Sequence, residues 1–92
     1  MRLLLVEDDR LLADGLASQL EKAGFSVDVT GTAKEAMLLG AQEDYRAAVL
    51  DLGLPDGNGL DVLRKWRQNN ANFAVLILTA RGDWHDKVSG LK

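Results

Sequence analysis

Acidic side chains and one hydroxyl occur at three separated points of the chain, each directly after a run of apolar residues. Glu7 and Asp8 follow the apolar run 3–6, Asp51 follows the run 47–50, and Thr79 follows the run 73–78. Short uninterrupted apolar runs are typical of strands in a parallel sheet that helices cover on both faces. Because ligands of such sheets bind outside the carboxyl ends of the strands, we expect these side chains to converge there.

The electric charge of this cluster indicates its chemistry. Two carboxylates about 4 Å apart repel each other by roughly 1–4 kcal/mol at effective dielectric constants of 80 to 20, so a converging set calls for a cation. A site built only from oxygen atoms suits Mg²⁺, which binds one or two carboxylates together with phosphate oxygens. The metal would neutralise an incoming phosphoryl group, Asp51 would be the nucleophile, and the Thr79 hydroxyl would donate to a phosphoryl oxygen.

Each of these residues also has an ordinary structural interpretation. Asp8 or Asp9 could cap the first helix, Asp51 could be a turn residue, and Thr79 could be a common strand residue. The functional prediction therefore depends on the combination and not on any single residue.

Besides the three apolar runs, residues 25–29 alternate between apolar and polar side chains and predict a strand at an edge of the sheet. Helical segments must connect and position these four strands. Leucines at a spacing of four residues predict a first helix over 12–23 that ends at Gly24, and Thr32 with Glu35 forms the capping-box pattern of a second. Residues 53–59 are dense in turn formers and predict a loop. A third helix follows with Trp66 as a packing residue, and a fourth begins near residue 83. This strand–helix alternation predicts a parallel sheet between two layers of helices.

Composition excludes several classes of protein. The 92 residues form at most one domain. Eleven basic and fourteen acidic residues give a net charge of −3, which argues against nucleic-acid binding by this segment. The absence of cysteine excludes disulfides and thiolate metal sites. The first apolar run is too short for a signal peptide or a membrane span, so we expect a cytoplasmic protein without membrane contact.

Four sequence motifs resemble those of a known family. They are Leu5–Asp9 (LVEDD), Val49–Pro55 (VLDLGLP), Asp56–Leu60 (DGNGL) and Leu76–Arg81 (LILTAR). At these spacings they are similar to the receiver domain of bacterial two-component response regulators, most of all to the winged-helix transcription factors typified by OmpR and PhoB and their PmrA- and QseB-like members. The resemblance covers the whole chain. It implies a flavodoxin-like, doubly wound α/β fold with strand order 2-1-3-4 and helices on both faces.

The resemblance also implies a role for each site residue. Asp51 matches the phosphoacceptor, Thr79 the switch hydroxyl, and Ala80 the small residue that leaves room for the phosphoryl group. The ligands that it implies for Mg²⁺ are Asp8, Asp51, the backbone carbonyl of Gly53 and, through water, Glu7. The phosphoryl donor would be a sensor histidine kinase, and phosphorylation would switch homodimerisation and transcriptional output in the full-length protein. Such a domain takes part in its own phosphoryl transfer and is not a conventional enzyme.

Residues 1–92 are expected to be an incomplete receiver domain, without the fifth strand, the fifth helix and the DNA-binding domain of this family. A family lysine that would offset part of the site's negative charge belongs to the missing part. Even with Mg²⁺ the phosphorylated acid cluster keeps a charge of about −2. We therefore expect this fragment to be phosphorylated poorly, and to associate through the strand edge Phe73–Leu78 or the fourth helix.

Two other functions share part of the pattern. A haloacid-dehalogenase-like phosphatase also uses a strand-end aspartate as its nucleophile, but it requires a second acid two residues later, where this chain has Gly53. A degenerate interaction domain that is never phosphorylated would have no need of the complete acid set. A dinucleotide-binding module is disfavoured because acids, and not glycines, follow the first strand.

Overall fold

The computed structural model describes residues 1–78, in which strands and helices alternate from the first residues onward. The elements are β1 (Arg2–Val6), α1 (Arg10–Lys22), β2 (Ser26–Thr30), α2 (Ala33–Gln42), β3 (Ala47–Asp51), β4 (Gly53–Leu54), β5 (Gly57–Asn58), α3 (Gly59–Gln68) and β6 (Ala74–Leu78). The predicted fourth helix, Thr79 and Ala80 lie outside the described residues. No helix within residues 1–78 is long and apolar enough to cross a membrane.

The main sheet has the order β2-β1-β3-β6, and all of its neighbouring strands are parallel. Leu5 of β1 pairs with Val29 on one side and with Val49 on the other, and Asp51 pairs with Leu78. Since β6 is the fourth strand of this sheet, the predicted order 2-1-3-4 is confirmed. The same order makes β2 an edge strand, as the alternating pattern of its residues indicates.

The two faces of the sheet carry different helices, as predicted. Leu4 and Val6 of β1 belong to the buried cluster that α2 and α3 complete with Ala36 and Trp66. Leu3 and the other alternate side chains of β1 point to the opposite face, where α1 packs against β1 and β2. This arrangement follows from right-handed crossovers, because the chain runs outward from β1 to β2 and then back across the sheet to β3 and β6.

The helix ends agree closely with the sequence signals. Asp9 caps α1 by accepting the Leu12 N–H at 3.2 Å, and Thr32 caps α2 by accepting the Glu35 N–H at 3.2 Å. Gly24 has a φ of 101°, the left-handed conformation predicted after α1. The capping box of α2 is only half formed, because the Glu35 carboxylate accepts a hydrogen bond from the Thr30 hydroxyl instead.

The segment predicted as a plain loop contains a short antiparallel hairpin. Gly53 pairs with Asn58 and Leu54 with Gly57, so β4 and β5 enclose a two-residue turn. Leu54 is only 8% exposed and belongs to the core. Its burial explains the difference, because one apolar side chain that faces the core gives a segment of turn formers a fixed register.

Candidate functional site

Three carboxylates from two neighbouring strand ends meet at the carboxyl edge of the sheet. One oxygen atom from each of Glu7, Asp8 and Asp51 lies within 4.8 Å of the other two. Glu7 and Asp8 directly follow β1, and Asp51 is the last residue of β3. Because β1 and β3 are hydrogen-bonded neighbours, their ends coincide and the acids are brought together.

Two of the three acids are buried and only partly hydrogen-bonded. Glu7 is 3% exposed and Asp51 is 1% exposed, whereas Asp8 lies at the surface. Glu7 Oε2 accepts the Asp9 N–H at 3.1 Å, and Asp51 Oδ1 accepts the Gly53 N–H at 3.3 Å. Glu7 Oε1 and Asp51 Oδ2 have no hydrogen-bond partner among residues 1–78. Buried oxygens of this kind are costly unless a cation or a donor satisfies them, so the cluster fits a hard divalent metal ion.

Burial is the main cause that raises the pKa of Glu7, from its ordinary value of 4.5 to about 7. The negative charge of Asp51 and the closeness of the Asp51 and Asp8 carboxylates raise this pKa further, while the Asp9 N–H lowers it. A cation in the cluster would favour the ionised carboxylate and reverse the shift. The protonation of Glu7 is thus a sensitive indicator of the charge in the site.

We expect the free energy of unfolding in metal-free buffer to include a component that falls as the pH rises from 4.5 to 7. Between pH 4.5 and 7, Glu7 keeps its proton in the folded chain and loses it in the unfolded chain, so each rise in pH favours unfolding. The contribution of Glu7 to the free energy of unfolding is therefore complete below pH 4.5 and is lost as the pH rises through 7. Glu7→Gln should remove this component. Urea titrations at several pH values in EDTA measure it, and a pH profile unchanged by Glu7→Gln would contradict the assignment.

The backbone packs closely around the acids on two sides. A Cβ on Gly31 would lie 3.4 Å from Asp8 Cα, and a Cβ on Gly59 would lie only 2.4 Å from the Asp51 carbonyl oxygen. The contact at Gly31 is an ordinary van der Waals distance, whereas at residue 59 only glycine allows the start of α3 to approach the site so closely. A methyl group at residue 59 would displace the end of β3.

The structure brings Glu7, Asp8 and Asp51 together, with Gly53 two residues after Asp51. Thr79 and Ala80 lie outside the described residues. Sequence reasoning missed Asp56, whose carboxylate accepts the backbone N–H groups of Ala33 and Lys34 at the start of α2. No local signal reveals this contact, because Asp56 reads as an ordinary turn residue and its partners are more than twenty positions away.

Comparison with known proteins gives a consistent result. A family model described as the response regulator receiver domain matches residues 3–92. The chain is 53% identical over 91 residues to the transcriptional regulatory protein PmrA of Pectobacterium parmentieri, and 47% identical over 92 residues to the transcriptional regulatory protein QseB of Haemophilus influenzae. These matches cover 99% and 100% of this chain but only 41% and 42% of the two relatives. The chain thus spans about two fifths of the length of these regulators.

A solved structure extends the likeness to three dimensions. The MaeR response regulator bound to beryllium trifluoride is similar to this chain with a TM-score of 0.81 and 30% sequence identity. The match covers 99% of this chain and 76% of that one. The fold described above therefore has a solved example.

Proposed function

Since the chain belongs to the response regulator receiver domain family, we propose that Asp51 is the residue that accepts a phosphoryl group, from a phosphohistidine of a sensor histidine kinase. The observation that carries this proposal is the pair of buried carboxylate oxygens, Glu7 Oε1 and Asp51 Oδ2, without hydrogen-bond partners among residues 1–78. A structural role for Asp51 as a turn residue would leave this arrangement unexplained, whereas a site for a cation and a phosphoryl group accounts for it.

The transfer is a displacement at phosphorus. A carboxylate oxygen of Asp51 forms a bond to phosphorus while the bond from phosphorus to the histidine nitrogen breaks, and the imidazole leaves. The hydrogen bond from the Gly53 N–H to Asp51 Oδ1, at 3.3 Å, restricts the rotation of the acceptor side chain, so less freedom is lost when it attacks. We assign Thr79 as the hydroxyl that then donates to a phosphoryl oxygen, and Ala80 as the small residue beside it.

The residues that would hold Mg²⁺ are Asp8, Asp51, the Gly53 carbonyl and, through water, Glu7. When bound, the metal ion neutralises negative charge on the phosphoryl oxygens. Support for this set comes from its all-oxygen chemistry and from the burial pattern, because Asp8 is exposed to solvent, from which a hydrated ion would bind, and Glu7 is buried with an oxygen that lacks a partner among residues 1–78. Beryllium trifluoride, which MaeR binds, imitates a phosphoryl group in shape and charge, which agrees with a phosphoryl site in this fold.

The output of the switch is transcriptional in this proposal. The similar proteins PmrA and QseB are transcriptional regulators, and the chain spans about two fifths of each. We propose that phosphorylation shifts the equilibrium between two conformations of the domain surface, and that this shift controls homodimerisation in the cytoplasm. Neither the comparisons nor any contact among residues 1–78 favours the phosphatase alternative.

Asp8→Asn tests the metal site. We expect the Mg²⁺ concentration that gives half-maximal phosphoryl labelling from acetyl phosphate to rise at least about tenfold, because a ligand charge is lost. The matched control is Asp9→Asn, which changes the next acid along the chain but keeps a good N-cap for α1. Labelling of Asp9→Asn should depend on Mg²⁺ as the wild type does. Equal Mg²⁺ dependence of wild type and Asp8→Asn, or labelling that persists in EDTA, would refute the proposal.

A further inference from the structure

Asp56 makes a contact that the phosphoryl site as described does not use. From the turn between β4 and β5, its Oδ1 accepts the Ala33 N–H at 2.6 Å and its Oδ2 accepts the Lys34 N–H at 3.0 Å. These are the first two N–H groups of α2, which lack partners within the helix. The same hydrogen bonds, that from Ala33 first, hold the pKa of Asp56 below its usual range, so the carboxylate is ionised at neutral pH and complements the positive end of the helix.

The segment that leads into α2 packs on Glu7 and Asp8, which we call the acid pair. The Glu7 N–H donates to the Thr30 carbonyl at 2.9 Å, one step beyond the last paired residues of β1 and β2. A Cβ on Gly31 would lie 3.4 Å from Asp8 Cα and 3.6 Å from the Glu7 carbonyl oxygen, in ordinary van der Waals contact. A displacement of the start of α2 would therefore be transmitted directly to residues 7 and 8.

The hairpin that carries Asp56 is hydrogen-bonded to Asp51 and to the residue that follows it. Its first residue, Gly53, donates its N–H to Asp51 Oδ1, and the Gly59 N–H that follows it donates to the Leu52 carbonyl at 2.9 Å. Residues on both sides of Asp56 are thus bound to the end of β3. The carboxylate of Asp56 closes a ring of contacts that runs from the acid pair through α2 and the hairpin to Asp51.

We propose that Asp56 is a positioning residue of the phosphoryl site, which fixes the hairpin to α2 and thereby sets the separation between the acid pair and Asp51. Asp56 is not a member of the acid cluster, so it acts through Gly53 on one side and through the α2 start on the other. The inference rests on the proposed function, because the separation that it sets is the one that a single cation has to bridge. Partners that orient metal ligands in this indirect way strongly influence metal affinity.

The test compares two changes at the same helix end. Asp56→Ala and Thr32→Ala each remove acceptors from the first N–H groups of α2, but only Asp56→Ala frees the hairpin. In MgCl₂ titrations of the 92-residue chain followed by NMR, we expect Asp56→Ala to weaken Mg²⁺ binding about tenfold, and Thr32→Ala to bind as the wild type does. Hydrogen exchange at the Gly53 amide should accelerate in Asp56→Ala alone. Asp56→Asn, which keeps one acceptor oxygen, should fall between Asp56→Ala and the wild type and remains informative if Asp56→Ala does not fold.

The outcomes separate the two proposals. Equal Mg²⁺ affinity in wild type, Asp56→Asn and Asp56→Ala would overturn the positioning role and leave the proposed function intact. Equal losses of Mg²⁺ affinity in Asp56→Ala and Thr32→Ala would also overturn the positioning role, since the loss would then result from the weakened start of α2. A wild-type chain that binds no Mg²⁺ would overturn the proposed function, and the positioning role with it.

Discussion

Asp51→Asn is expected to abolish phosphoryl incorporation in the protein that carries this chain, whatever the phosphoryl donor. Asparagine has nearly the size and shape of aspartate, but its neutral amide oxygen is a poor nucleophile toward phosphorus. The other acids offer no substitute, because Glu7 is held by the Asp9 N–H and Asp8 lies at the surface. Incubation with radiolabelled acetyl phosphate and Mg²⁺, followed by gel analysis, measures the loss.

A stability measurement distinguishes this loss from unfolding. Asp51→Asn removes one negative charge from a cluster of three acids, two of them buried, so the variant should unfold at a higher temperature than the wild type in EDTA. The matched control is Asp61→Asn, which removes an exposed acid of α3 paired with Arg64 at 2.6 Å; its labelling should stay normal. Undiminished labelling of a folded Asp51→Asn protein would show that the acceptor lies elsewhere.

Trp66→Ala is expected to cost about 3–5 kcal/mol of the free energy of unfolding, the range for large aromatic side chains removed from a core. Trp66 is fully buried, its Nε1–H donates to the Ala36 carbonyl at 3.0 Å, and its ring lies edge-on to Phe73 at 5.0 Å. The change leaves a cavity and removes the hydrogen bond that the Ala36 carbonyl accepts from the indole. Urea denaturation followed by circular dichroism measures the cost, and a loss below about 0.5 kcal/mol, the usual limit for surface substitutions, would contradict the packing.

Gly40 provides a sharper test of the same contact. A Cβ on Gly40 would lie 2.1 Å from Trp66 Nε1 and 2.6 Å from two ring carbons, so Gly40→Ala should destabilise the wild type by about 1–3 kcal/mol. In the Trp66→Ala background the added methyl group enters the cavity, and alanine is the better helix former. The cost should therefore vanish or change sign. The same cost in both backgrounds would show that the contact with Trp66 is not the reason why residue 40 has to be glycine.

The alternation of strands and helices in a parallel sheet could be predicted from the sequence because three of the four strands are short, continuous apolar runs, whereas the strand order 2-1-3-4 came from the resemblance to receiver domains. The convergence of Glu7, Asp8 and Asp51 follows from that order, since the carboxyl ends of neighbouring parallel strands meet. The difference in burial between Glu7 and Asp8 depends on which face of the sheet each enters, and the bare motif does not specify this. The hairpin was missed because turn formers do not reveal that Leu54 is buried.

Contacts between distant segments were the least predictable. The partners of Asp56 lie 22 and 23 residues earlier in the chain, and no periodicity or cap pattern connects them. Trp66 was expected to pack, but its tight fit against Gly40 requires α2 and α3 to be placed side by side. The predicted roles of Thr79 and Ala80 stay predictions, because these residues lie outside the part of the chain that the structure describes.

The most direct test of the account is to identify the phosphorylated residue chemically. Borohydride reduces an aspartyl phosphate to homoserine, and peptide mass spectrometry after labelling in Mg²⁺ locates it. We predict homoserine at residue 51, present only when both Mg²⁺ and a phosphoryl donor are supplied, and absent from Asp51→Asn. Homoserine at another aspartate, or a phosphate that survives on a different side chain, would contradict the central claim that Asp51 is the acceptor.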